Sequence, residues 1–77
     1  MTPTIERFLA VMKEAFSPSA DVSAGVEFRE LEEWSSMQAL IVIAAIDEHF
    51  GVTIPEKDFR SAKTFQTLFE LTVANIP

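Results

Sequence analysis

Two adjacent hydroxyls, Ser35 and Ser36, stand where a long polar stretch gives way to a continuous apolar run. A helix start leaves backbone N–H groups without intrahelical partners and carries a partial positive charge. A phosphate ester on a serine placed there is therefore electrostatically favoured. Serine is also among the commonest residues at helix starts, where most only cap those N–H groups. Ser35-Ser36-Met37-Gln38 fits a capping box, with Ser35 as the cap and Gln38 three residues on. Either hydroxyl is chemically able to carry a group.

Other reactive types are scarce. Cysteine is absent and His49 is the single histidine, which removes disulfide frameworks, zinc clusters and Cys/His nucleophile pairs together. His49 follows Asp47 and Glu48 at the expected end of a helix, where an imidazolium meets the negative end of the dipole, a structural position. No set of groups supplies a nucleophile, its base and an oxyanion site at once, so neither an enzyme nor a metal site is expected. Twelve acidic residues against six basic ones give a net charge of −6. Nucleic-acid backbones would be repelled. Partners with basic docking patches are suited, because complementary charge speeds and orients encounter. Plain solubility is the simpler use of the same charge.

The elements that must position these residues follow from periodicity. A first helix is expected from about Thr4 to Phe16, opened by Thr2 before Pro3, with Ile5, Phe8, Leu9, Met12 and Phe16 at helical spacing and a stop at Ser17-Pro18. A long loop then runs to Trp34, pinned by Val26, Phe28 and Leu31. Such loops are uncommon in compact domains and often functional. A second helix is expected from about Ser36 to His49 with Gly51 as its stop. A short helical turn starts at Pro55, and a last helix runs from about Thr64 to Asn75 with Thr64 as cap. No strand is expected, so the fold class is all-α. Seventy-seven residues make one domain, 1–77, and the 48% apolar content with seven Phe is enough for one compact core. The longest apolar run, Ala39 to Ile46, falls short of the ~18 residues that span a bilayer. The first residues lack the pattern of a secretory signal. A cytoplasmic, monomeric protein without membrane insertion is expected.

On a wheel at helical spacing, residues 36–50 place Ala39, Val42, Ile43, Ile46 and Phe50 on one face, the core side. The opposite face also carries an apolar stripe, Met37, Leu40, Ile41 and Ala44, ending in Glu48. A helix apolar on both sides is either central in its bundle or uses its outer face for binding. In a chain this small few elements can be covered twice, which favours a partner site.

With these residues in place, the sequence resembles the acyl carrier protein family over nearly the whole chain. Family members usually write Asp-Ser-Leu at the start of the second helix, then Phe-Gly-Val and Ile-Pro. Here Ser35-Ser36-Met37 precedes Phe50-Gly51-Val52-Thr53-Ile54-Pro55 at matching spacing. Phe28-Arg29-Glu30-Leu31, Glu33-Trp34 and Ala62-Lys63-Thr64-Phe65 look like a subgroup of free-standing carriers. The resemblance implies an acyl-carrier-protein-like four-helix bundle: three longer helices, one short helix and a long loop between the first two. It implies 4′-phosphopantetheine attached covalently to Ser36 by a phosphopantetheinyl transferase that takes it from coenzyme A. Acyl groups would ride on that arm as thioesters, presented to acyl-loading and acyl-using enzymes with basic and apolar docking patches. Docking on the second helix would fall on Met37, Leu40, Ile41, Ala44 and Glu48. Ser36 is then an attachment point, not a catalytic nucleophile. Trp34 is expected to pin the incoming loop or to contact the arm. Ile54, Phe59 and Ala62 are expected either to border a shelter for a tethered chain or to be ordinary core. The sequence departs from the family at Ser35, where Asp is usual, and at Gln38 and Ile41, where acids are common, so the docking face is less negative. Rival expectations are an aminoacyl or peptidyl carrier of the D-alanyl type, and a carrier-like binding module that is never modified.

Overall fold

Thr4 opens the first helix, its hydroxyl accepting from the Arg7 N–H at 3.2 Å, and α1 runs over Ile5–Phe16. The computed structural model describes residues 3–17 and 19–76. The expected opening signal Thr2 and Pro18 of the expected stop lie outside them. Among the described residues the chain forms four α-helices: α1, α2 (Ser36–Phe50), α3 (Glu56–Ser61) and α4 (Phe65–Ala74). No strand occurs among these residues, so the molecule is a small helical bundle.

The long connection after α1 is not wholly irregular. It contains a 3₁₀ turn at Phe28–Glu30 and is sewn to the start of α4. Phe28 N–H donates to the Lys63 carbonyl (3.1 Å), Phe65 N–H to Val26 (3.2 Å) and Gln66 N–H to Ala24 (2.9 Å). These bonds surround a single bridge between Glu27 and Thr64. Phe28 is fully buried, with Val26 and Leu31 packed against the core, so all three pin the loop as their apolar character predicts.

Ser35 caps α2, its Oγ accepting from Gln38 N–H at 3.0 Å. The reciprocal half of the expected capping box is absent. The Gln38 side chain is buried and donates from Nε2 to the Ala15 carbonyl at 3.0 Å. Ala15 lies in the last turn of α1, where carbonyls lack intrahelical donors, so Gln38 closes one helix while its own N–H helps to open the next. The far end of α2 turns at Gly51, which has φ 66° and donates its N–H to the Asp47 carbonyl at 2.9 Å. Val42 and Ile46 are fully buried on the inner face of α2, while Ala39, Ile43 and Phe50 pack at the edge of the core.

Val52 and Ile54 are buried in the extended link that follows. Glu56 and Arg60 pair one turn apart on α3. Thr64 caps α4 by accepting from Thr67 N–H at 3.2 Å. On α4 the buried stripe is Phe65, Leu68 and Thr72, and Thr72 satisfies its hydroxyl by donating to the Leu68 carbonyl at 2.9 Å.

Gly51 is the only described residue with positive φ. A Cβ there would meet nothing within 4 Å, so its constraint is backbone strain alone. Gly51→Ala is expected to lower the unfolding free energy by about 1–2 kcal/mol, the cost of a left-handed non-glycine residue. Gly25→Ala, also in open space and without that conformation, should change it by less than ~1 kcal/mol. Urea unfolding of the two variants measures the difference.

Candidate functional site

Ser36 is the first residue of α2 and is exposed, as is the capping Ser35 beside it. Because the Ser35 oxygen is committed to Gln38 N–H, the two hydroxyls have different settings: one completes the helix and the other faces solvent. The outer stripe is uncovered. Met37 is 68% exposed, Leu40 66% and Ile41 42%, with Ala44 and Glu48 also exposed. The alternative of a helix covered on both sides is thereby removed. Gln38 does not belong to this face at all, since at 7% exposure it is directed at α1. Its departure from the acidic pattern of the resembling family therefore has no bearing on the outer surface.

The exposed stripe is a ridge between two depressions. On the α3 side lies a groove of about 820 Å³ bordered by Ser36, Leu40, Trp34, Ile43, Phe59 and Arg29, among others. On the α1 side lies a smaller one of about 320 Å³, where Ile41, Ala44 and Glu48 meet Val11, Glu14 and His49. The sequence-predicted residues are thus brought together along one helix, with Leu40 serving one groove and Ile41, Ala44 and Glu48 the other. His49 lies exposed in the last turn of α2.

Trp34 is held by tertiary contacts with aromatic rings. It stacks on Phe16 and Phe59, at centroid distances of 6.1 and 6.2 Å, and tilts against Phe28 at 5.3 Å. One side of it still borders the larger groove. Of the residues expected either to shelter a chain or to be core, Ile54 and Ala62 are core, and Phe59 alone reaches the groove wall.

Sequence reasoning missed Arg29. Its guanidinium donates to the main-chain oxygens of Ala62 and, at 2.7 Å, of Phe59, fastening the C-terminal end of α3 to the loop. It also lies over the rings of Phe28, Phe59 and Trp34, at 4.8, 5.3 and 5.8 Å from their centres, an arrangement favourable to a cation. One signal for it was present. Arg29 is the only cation between Lys13 and Lys57, set in an acidic loop between two aromatics.

Among the described residues no group of three or more His, Cys, Asp or Glu could hold a metal ion, and no helix is long and apolar enough to cross a membrane. Comparisons with protein-family models, with curated proteins and with solved structures gave no match.

The exposure of the ridge has a direct test. Leu40→Ser is expected to change stability by no more than ~0.5 kcal/mol, as at surface positions generally. Ile46→Ala, one and a half turns on but fully buried, should cost about 2–5 kcal/mol. Equal losses in thermal or urea unfolding would mean that the outer face is covered.

Proposed function

We propose that the chain is a single carrier domain of the acyl-carrier-protein type, holding acyl groups as thioesters on 4′-phosphopantetheine attached to Ser36. The observation that carries this reading is the setting of Ser36: an exposed hydroxyl at the first position of α2, between an uncovered apolar ridge and a groove of about 820 Å³. The residues fit the group. A phosphodiester on Ser36 would meet the positive end of α2, where the serine that caps the helix is a different one. The bound arm would supply a thiol, which the chain itself lacks because it has no cysteine.

The chain's own residues would do three things. Ser36 offers the attachment oxygen, and Ser35 fixes the helix start so that this oxygen points outward. Met37, Leu40, Ile41 and Ala44 give a partner enzyme an apolar landing surface, and Glu48 at its end orients a basic patch. The net charge of −6 favours rapid encounter with basic transferases and acyl-handling enzymes. Since Ile41 stands where many carriers have an acid, contact near it is more apolar than is usual in that family. Ile41→Glu should therefore weaken transfer to the true partner.

The test is intact mass after incubation with coenzyme A and a broad-specificity phosphopantetheinyl transferase. One added group is expected, mapped by fragmentation to Ser36, lost in Ser36→Ala and kept in Ser35→Ala. Ser35→Asp, which restores the family's acid while retaining a capping oxygen, should be modified faster than the natural chain. If several transferases leave the folded protein unchanged, the carrier reading fails, and the exposed ridge then favours an unmodified binding module.

A further inference from the structure

Arg29 carries a charge that the fold does not balance. It is half-buried, and removing a cation from water is costly without a counter-charge. Its protein partners are the Phe59 and Ala62 carbonyls, which bear only the partial negative charge of a helix end, and three aromatic faces. The ion pair found among the described residues joins Arg60 to Glu56, so the acid in the groove wall is already matched to a different guanidinium. A guanidinium has five N–H donors, and the two carbonyls leave donors over.

Arg29 also lines the groove beside Ser36. The walls contributed by Trp34, Ala39, Leu40, Ile43 and Phe59 are apolar, and the volume of about 820 Å³ lies in the range of small-molecule sites. Arg60 also lines the groove, but it is exposed and already paired with Glu56. Apolar walls with a part-buried guanidinium that pairs with no acid among the described residues suit a ligand that has an apolar body and an anionic oxygen. We infer that Arg29 is an anion-holding residue of this groove, its free donors taking either the phosphodiester joined to Ser36 or a carboxylate carried on an apolar chain. The first source rests on the carrier reading; the second does not.

Trp34 is the only tryptophan and borders the groove, so its emission reports occupancy. The unmodified chain is titrated with sodium octanoate and with 1-octanol. For the carboxylate source, octanoate is expected to bind about tenfold more tightly than octanol, the scale of one charge-assisted hydrogen bond. Arg29→Gln should abolish that preference, and Arg7→Gln, which removes the same charge from α1 outside the groove lining, should preserve it. For the phosphate source, the ³¹P resonance of the chain modified on Ser36 should move in Arg29→Gln towards that of free phosphopantetheine, and stay put in Arg7→Gln. Arg29→Lys keeps the cation but not the planar fork. It should retain part of either signal, which separates loss of the anion contact from loss of the fold.

Either response supports the inference. It is overturned if octanoate shows no preference over octanol and the phosphorus resonance is the same in the natural chain, Arg29→Gln and Arg29→Lys; Arg29 would then only fasten α3. Failure of Ser36 to accept the group would sink the carrier reading and the phosphate source with it. The octanoate comparison would then decide alone.

Discussion

The packing of Phe28 is the contact on which the site side of the molecule depends. This residue belongs to no long helix, yet its buried ring meets Trp34 at the entry to α2, Phe59 on α3 and Phe65 on α4. A six-residue α3 cannot be stable by itself, because short helices do not recover the cost of nucleation. It persists because Phe59 inserts beside Phe28 while Arg29, the next residue in the loop, holds the α3 terminus through main-chain carbonyls. The wall of the larger groove is therefore built from the loop outward, and the position of Ser36 relative to that wall is set by an aromatic cluster drawn from the loop, α3 and α4.

Much of this was legible in the sequence because helices announce themselves locally. The cap at Ser35, the stop at Gly51, the start of α4 at Thr64 and the two apolar faces of α2 all depend on residue type and spacing along one element. The exposed ridge was readable from the wheel, with a central helix as the only competing account. What could not be read was tertiary. Gln38 satisfies the expected capping pattern in type and position, yet its side chain crosses to α1 because the last-turn carbonyl of Ala15 offers an acceptor within reach. Arg29 lies in a segment without periodicity, where a cation is ordinarily assigned to solvent. Its burial depends on carbonyls some thirty residues away, which no local window contains.

The division of labour along α2 also explains why this helix tolerates two apolar faces. The inner face contributes Val42 and Ile46 to a core in which every described buried side-chain polar atom has a partner. Since that core already fixes the helix, the outer residues are free of any packing duty. The acids Glu14 and Glu48 stand at the edge of that surface, and like charge there disfavours contact between two copies of it.

The backbone bonds that join residues 24–28 to 63–66 bear on the order in which the molecule comes together. Closing contacts between distant segments costs chain entropy before it yields any stabilisation, whereas α1 and α2 are nearer neighbours in sequence and in contact. During synthesis the serine-bearing helix start is made before residues 63–66, and the loop can be sewn down only after Lys63, Phe65 and Gln66 have emerged. A nascent chain therefore presents Ser36 before it has the finished groove beside it. A segment translated later thus completes the surroundings of a residue made before it.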